Sequence, residues 1–179
     1  MDLNKPKFIR DNDTFLTIYG RNLLAELDII LPDNYLIVTM EDLWEKYKHH
    51  FKNKTKNVYI VKGLDINKVN EDFSNLNNFS TVVGIGGGQS LDMAKYFAWK
   101  AGVNLFQVPT SMSVNATFGH RAAIRINSNV TYVGWTVPEA VYVDFDIIKE
   151  APKEFNRSGI CEIMCYHTAH LDWKYATKV

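Results

Sequence analysis

The segment best suited to chemistry is a run of glycines after an apolar stretch, Gly84-Ile-Gly-Gly-Gly88, continued by Gln-Ser-Leu-Asp92. Glycine lets backbone N–H groups approach a phosphate closely and adopts positive φ without strain. The helix-spaced apolar residues that follow predict a helix whose positive end points at the same place. The pattern predicts a pyrophosphate-binding turn. We assign five of its residues to cofactor binding: Gly86, Gly87, Gly88, Ser90 and Asp92.

The turn matches neither of the two best-known phosphate motifs. Gly84 and Gly86 fit the G-x-G of the Rossmann fingerprint, but Gln89 stands at the third glycine position. No Gly-Lys-Ser/Thr follows, which excludes a Walker A loop. The alternative is a tight strand-to-helix turn without a ligand, in which Asp92 only complements the helix dipole. Three consecutive glycines cost chain entropy, which favours a ligand.

Polar residues also follow two other apolar runs. Thr110 and Ser113 come after the run that ends at Val108, and Asp42 comes after the run at 35–38. Open parallel sheets bind ligands at the carboxyl ends of their strands. We therefore predict that Thr110 and Ser113 contact the cofactor and that Asp42 meets the adenosine ribose. Loop-capping hydroxyls and a charge at a helix N-terminus are the alternatives.

The elements that would position these residues alternate along the chain. Helix-spaced apolar residues separate β-favouring runs, which lie at 35–38, 57–61, 81–85 and 105–108. This alternation predicts an α/β fold with a parallel sheet and helices on both faces. Further on, the sequence predicts a hairpin around Asn127-Ser128-Asn129 and a last strand at 141–143.

From residue 151 the pattern becomes helical, with Pro152 in the first turn. We expect residues 1–150 to form the cofactor-binding α/β domain and residues 151–179 to begin an all-α domain. Trp173 and Tyr175 lie near the end of this helix with nothing after them to pack on. We expect a truncated chain; packing on the first domain or on a partner is the alternative.

Composition indicates a globular chain without an obvious charged partner. Of 179 residues, 46% are hydrophobic, and 20 basic residues balance 20 acidic ones. This balance gives no support for binding to nucleic acid or an acidic membrane surface. Residues 1–6 lack a signal-peptide core, and no apolar run has the roughly 20 residues of a membrane span. With Cys161 and Cys165 read as reduced thiols, we expect a cytoplasmic protein.

Four blocks of sequence occur in a recognisable order: Gly86-Gly-Gly-Gln-Ser-Leu-Asp92-Met-Ala-Lys95, Val108-Pro-Thr110-Ser-Met-Ser113, Pro138-Glu-Ala-Val-Tyr-Val-Asp144 and Arg157-Ser-Gly159-Ile-Cys-Glu162. Together they resemble the superfamily of iron-containing alcohol dehydrogenases, glycerol dehydrogenases, glycerol-1-phosphate dehydrogenases and dehydroquinate synthases. Thr168-Ala-His-Leu-Asp172-Trp173 resembles the glycerol-1-phosphate dehydrogenases most. The resemblance implies a two-domain enzyme whose N-terminal α/β domain binds NAD or NADP.

The resemblance also implies a metal site in a helical domain. Glu162 takes the position of the first ligand, where glycerol-1-phosphate dehydrogenases have Asp and dehydroquinate synthases have Glu. Zn²⁺ or Fe²⁺ would polarise the oxygen of a small phosphorylated or polyol substrate during hydride transfer. Asn115 stands where most members have Asp beside the substrate. We assign Asn115 and His120 to catalysis, and interpret His167 and His170 as surface histidines.

Three functions follow from these patterns. The first is NAD(P)H-dependent reduction of dihydroxyacetone phosphate or a similar ketone. The second is a sugar-phosphate cyclase of the dehydroquinate-synthase type, which Glu162 favours and Asp172-Trp173 opposes. The third is a nucleotide-binding module without catalysis, which Asn115 favours. We expect no turnover by the isolated chain, because two metal ligands are missing; a homo-oligomer is left open.

Overall fold

The computed structural model of the chain describes residues 15–51 and 57–178. The N-terminal residues, for which the sequence predicts no signal peptide, lie outside this part. The strands are β1 (Leu16–Gly20), β2 (Tyr35–Thr39), β3 (Asn57–Ile60), β4 (Thr81–Gly86), β5 (Asn104–Pro109), β6 (Ala122–Ile126), β7 (Asn129–Val133) and β8 (Ala140–Asp144). The α-helices are α1 (Leu23–Ile30), α2 (Glu41–Tyr47), α3 (Ile66–Ser74), α4 (Gly88–Ala101), α5 (Phe145–Glu150) and α6 (Lys153–Ala176).

The main sheet is parallel, with strand order β1-β8-β5-β4-β2-β3. Its central strands are apolar and buried because helices cover both faces, as the sequence predicts for a parallel sheet. Strands β6 and β7 pair separately as the expected antiparallel hairpin. Asn127 and Ser128 form its turn with φ of 50° and 65°, the left-handed conformation that short hairpin turns require.

The core consists of two layers, one on each face of the sheet. Helix α4 dominates the first layer, where Met93, Phe97 and Trp99 pack against β2, β4 and the hairpin. Helices α1 and α2 cover the other face, with Leu24 and Leu27 among the residues that pack there. The expected α/β class is therefore confirmed.

Three elements have no counterpart in the sequence predictions: β1, α1 and α5. β1 pairs with β8, whose residues lie more than 100 positions later, in the register Leu16↔Ala140 to Gly20↔Asp144. The strand predicted at 35–38 is consequently the second of the chain. The other predicted strands and helices are confirmed to within a few residues at each end.

Helix α6 lies on the surface and contributes no buried residue. Its large apolar side chains are exposed: Ile160, Ile163, Met164, Leu171, Trp173 and Tyr175. The helix begins at Lys153, so Pro152 is its N-cap residue and not, as the sequence predicts, a residue of its first turn. In the part of the chain that the structure describes, no helix is long and apolar enough to cross a membrane.

Candidate functional site

A change of direction in the strand order leaves a crevice at one edge of the sheet. Strand β2 leads through α2 to β3 on one side, whereas β4 leads through α4 to β5 on the other. Right-handed crossovers in opposite directions place α2 and α4 on opposite faces. The crevice therefore opens between the starts of α2 and α4, at the carboxyl ends of β2 and β4. Open α/β sheets bind their ligands at such a switch point.

The glycine turn lies at this crevice and is shaped by backbone geometry. Gly86 has a φ of 149°, and a Cβ there would lie 2.6 Å from the Ser90 hydroxyl oxygen, so only glycine fits. Gly87 precedes α4 without a side-chain cap, and a Cβ there would meet only the Ser111 hydroxyl oxygen, at 3.9 Å. The first N–H groups of a helix have no partner inside the helix. Those of α4 are thus left for an anion.

A cleft of about 680 Å³ extends from this turn across the ends of β2 and β5. It collects most of the cofactor-binding residues that the sequence predicts: Asp42, Gly87, Gly88, Thr110 and Ser113. The Thr110 amide donates to the Gly86 carbonyl oxygen at 3.0 Å, which ties the end of β5 to the turn. The hydroxyls of Ser111 and Ser113 lie 3.1 Å apart at the same edge.

The charged groups of the cleft lie at its α2 end, opposite the glycine turn. Lys46 Nζ lies 2.9 Å from Glu150 Oε2, and the Tyr47 hydroxyl donates to the same oxygen at 3.2 Å. The hydrogen-bonded contact between Lys46 and Glu150 raises the pKa of Lys46 and lowers the pKa of Glu150. None of these three residues is among the site residues that the sequence predicts. The available signal was the spacing of Lys46, one helical turn after Asp42.

Two predicted cofactor-binding side chains lie behind the cleft and do not line it. The Ser90 side chain is fully buried beneath Gly86, and its hydroxyl has no hydrogen-bond partner in the described part of the chain. Asp92 is the fifth residue of α4, beyond the first turn where a charge complements the helix dipole, and its carboxylate pairs with Lys95 Nζ at 2.7 Å. Burial raises the pKa of Asp92 and lowers the pKa of Lys95, and their pairing opposes both shifts.

Lys95 organises the loop that follows β5. Its Nζ donates to the carbonyl oxygens of Ala116, Gly119 and Arg121 at 2.9, 3.1 and 2.8 Å. The loop is irregular, so its carbonyl groups lack the partners that a helix or a strand would provide. Lys95 supplies hydrogen bonds to three of them. The loop carries Asn115, one of the two residues assigned to catalysis.

Asn115 and Glu162 line a second groove of about 370 Å³ between this loop and α6. The side-chain amide of Asn115 donates through Nδ2 to the Tyr166 hydroxyl at 2.5 Å. Helix α6 approaches the loop at Gly159, where a Cβ would lie 1.9 Å from the Met112 carbonyl oxygen. The structure therefore brings Asn115 and Glu162 to one groove.

His120 lies apart from both cavities. Its ring packs 5.0 Å from the Trp135 ring and 6.2 Å from the Phe15 ring, measured between centroids. Its Nε2 is buried without a hydrogen-bond partner in the described residues. His167 and His170 are exposed on α6, in agreement with their interpretation as surface residues.

The resemblance implies a dinucleotide and a metal ion, and the described residues fit the first but not the second. A dinucleotide fits the open glycine turn, which offers N–H groups to a pyrophosphate and hydroxyl groups beside it. The described residues do not provide a complete set of ligands for a metal ion. Within residues 15–51 and 57–178, no group of three His, Cys, Asp or Glu residues could hold one. Glu162 therefore stays a prediction as a single ligand.

The parallel sheet, its switch point and the glycine turn define a Rossmann-like α/β domain. Comparison with known proteins supplies the family: residues 22–152 match the iron-containing alcohol dehydrogenase model, and the chain belongs to that family. It is 30% identical over 159 residues to "Glycerol-1-phosphate dehydrogenase [NAD(P)+]" of Sulfurisphaera tokodaii, covering 86% of this chain and 45% of that protein. The chain spans about half the length of the curated relatives that it matches most fully.

Solved structures agree on the fold. Glycerol dehydrogenase from Schizosaccharomyces pombe has a TM-score of 0.74 at 18% identity, over 90% of this chain and 45% of that one. A 2-deoxy-scyllo-inosose synthase complexed with carbaglucose-6-phosphate, NAD+ and Co2+ has a TM-score of 0.68 at 20% identity, over 84% and 48%. The family match and the glycerol-1-phosphate dehydrogenase relatives confirm the resemblance that the sequence blocks predict, and the solved structures agree with its fold.

Proposed function

We propose that this chain is the NAD(P)-binding part of a metal-dependent oxidoreductase that reduces dihydroxyacetone phosphate to glycerol 1-phosphate. The observation that carries the proposal is the cleft at the switch point, where the start of α4 is uncapped and Gly87 is open. The name of the Sulfurisphaera relative, which includes NAD(P)+, supports both the cofactor and the reaction.

Each part of the cleft has a role in this proposal. The N–H groups at the start of α4 hold the pyrophosphate, because a helix N-terminus favours negative charge. Thr110 and Ser113 fix the cofactor beside them, and Asp42 meets the adenosine ribose. Gly86 contributes a backbone conformation that no other residue provides. NAD(P)H, when bound, supplies the hydride for reduction of the ketone.

The substrate side is proposed for the groove between the loop and α6. Asn115 is a neutral hydrogen-bonding group there, and Glu162 would provide one ligand to Zn²⁺ or Fe²⁺. A catalytic role for His120 requires its partly buried ring to move, since neither cavity includes it in this structure. Because no complete metal set is available among the described residues, the proposal for this chain alone is confined to cofactor binding.

A sugar-phosphate cyclase is the second candidate. The observation in its favour is the likeness to an inosose synthase that was solved with NAD+. The same cleft would hold NAD+ in both enzymes, so the cleft does not separate them. The curated relatives carry the name of a dehydrogenase, which is why reduction is the first proposal.

Calorimetric titration with NADH and NADPH tests the proposed function. Gly87→Asp adds a carboxylate in front of the N–H groups of α4, at a position with room for a side chain. The matched control is Gly63→Asp, which adds the same charge at an exposed position where a Cβ meets nothing within 4 Å. We expect the chain and Gly63→Asp to bind at least one dinucleotide, and Gly87→Asp to bind neither.

Circular dichroism and thermal unfolding of both variants check that the fold survives. Equal binding by the chain and by Gly87→Asp would remove the glycine turn from the cofactor site. If neither the unsubstituted chain nor either variant binds a dinucleotide, the result would favour the non-catalytic alternative, a module whose nucleotide site no longer functions.

A further inference from the structure

The α2 end of the cleft contains a cation, Lys46, whose ion-pair partner among the described residues is a carboxylate of the same cleft. Lys46 lies four residues after Asp42, so both side chains project from one face of α2. Its Nζ pairs with Glu150, and its side chain is 47% exposed. Among the described residues that line the cleft, Lys46 is the one cation. This end therefore offers an anion a half-exposed cation.

The residue that directly follows β2 is uncharged. In dinucleotide-binding sheets, an acidic residue near the end of the second strand binds the 2′-hydroxyl of NAD, and a nearby cation accommodates the 2′-phosphate of NADP. Here Met40 follows β2 and lines the cleft, Glu41 and Asp42 form the acidic first turn of α2, and of these two acids Asp42 lines the cleft. The first carboxylate of the cleft after this strand is that of Asp42, and Lys46 follows it by one helical turn on the same face of α2.

We propose that Lys46 determines the affinity of the cleft for NADP(H) by binding its 2′-phosphate. Glu150 holds the lysine in the free protein and gives way to the phosphate, while Asp42 serves the 2′-hydroxyl of NAD(H). The assignment rests on the proposed function, because it needs a dinucleotide whose pyrophosphate lies at the glycine turn and whose adenosine lies toward α2.

A 2′-phosphate competes with the Glu150 carboxylate for the Lys46 ammonium. A phosphate monoester carries a charge of about −1.5 to −2 at neutral pH, so it attracts the ammonium more strongly than one carboxylate does. Lys46 stays protonated in either pairing, since its hydrogen bond with Glu150 already raises its pKa. The site is half exposed, so the gain is modest and weakens with added salt.

Titration with NADH and NADPH at low and high salt tests the assignment. Lys46→Met removes the charge and keeps the length of the side chain, and Glu150→Gln removes the competing carboxylate. Lys48→Met is the matched control, because Lys48 is exposed nearby, pairs with Glu45 and does not line the cleft. Adenosine 2′,5′-bisphosphate and ADP serve as probes of the adenosine end alone.

We expect Lys46→Met to weaken NADPH binding about three- to tenfold and NADH binding less than about twofold, in line with a partly exposed charge pair. Glu150→Gln should strengthen NADPH binding selectively, and Lys48→Met should change neither. Equal effects of Lys46→Met on both cofactors, or none on either, would overturn the role of Lys46 while keeping the cleft as a dinucleotide site. Failure of the unsubstituted chain to bind any of the four compounds would overturn both proposals.

Discussion

At the scale of single residues, the buried pair of Asp92 and Lys95 carries the largest expected effect on stability. Lys95 is 1% exposed, and its Nζ serves three loop carbonyl groups besides the Asp92 carboxylate. Removing one partner of a buried pair leaves an uncompensated charge in the interior. We therefore expect Lys95→Met to lower the free energy of unfolding by about 3 kcal/mol or more. Urea unfolding measures the change.

An exposed pair with the same spacing provides the control. Lys149 Nζ lies 3.0 Å from Asp146 Oδ1, again three residues apart on one helix, but both side chains are well exposed. Lys149→Met should leave the unfolding midpoint almost unchanged, because water screens such pairs. Similar losses in the two variants would mean that burial of Lys95 contributes nothing special.

At the scale of elements, Gly159 decides how α6 meets the loop after β5. Alanine at this position favours the helix by about 1 kcal/mol in general, but here its Cβ would lie 1.9 Å from the Met112 carbonyl oxygen. We expect Gly159→Ala to keep α6 helical and move it off the loop. The Met112 amide, which donates to Asn156 Oδ1 at 2.9 Å, should then exchange about fivefold faster, as for a lost hydrogen bond.

Hydrogen exchange followed by mass spectrometry or NMR measures this effect. Cys161→Ala is the control, since Cys161 is exposed on the same helix and its replacement creates no clash. In the Cys161→Ala variant, the Met112 amide should exchange at the same rate as in the unsubstituted chain. Unchanged protection of Met112 in Gly159→Ala would show that the helix accommodates a side chain there.

Elements with a clear local pattern were predictable from the sequence, and those held by distant partners were not. Strands β2 and β4 are buried on both faces, so they are continuous apolar runs that local periodicity detects. β1 is a partly exposed edge strand of five residues whose partner β8 comes much later. Short edge strands carry little local signal, and α1 and α5 are equally short.

At the scale of the whole molecule, the glycine turn was predictable, but the cleft around it was only partly so. Gly87, Thr110 and Asp42 follow different strands, and the rule for parallel sheets brings them to one edge. That rule does not say that a side chain of α4 faces inward. Asp92 and Ser90 were assigned to the cofactor by position along the motif, yet both are buried behind the turn. A lysine among buried apolar residues, Met93 to Trp99, was the overlooked sign of an internal ion pair.

One buried carboxylate, that of Asp144 at the end of β8, contacts both α1 and α5; the residue is 2% exposed. Its Oδ2 accepts from the Leu23 amide at 2.7 Å, which caps α1 from the far end of the sequence, and its Oδ1 accepts from the Asp146 amide at 2.9 Å. Asp144→Ala leaves both amides unsatisfied. We expect the free energy of unfolding to fall by about 2 kcal/mol or more, twice the usual cost of one helix cap.

Asp144 caps a helix that is distant in the sequence, so its loss should differ from the loss of a local helix cap. Asp65 also accepts from two backbone amides, those of Asn67 and Lys68 at 3.0 and 3.3 Å, but both belong to its own helix α3. Asp65→Ala should cost about 1 kcal/mol and leave β1 untouched. Asp144→Ala should in addition deprotect the amides of β1 and α1, because it breaks the contact between Leu23 and β8. If hydrogen exchange shows β1 equally protected in both variants, pairing with β8 alone holds the first strand, and the carboxylate acts only on α5.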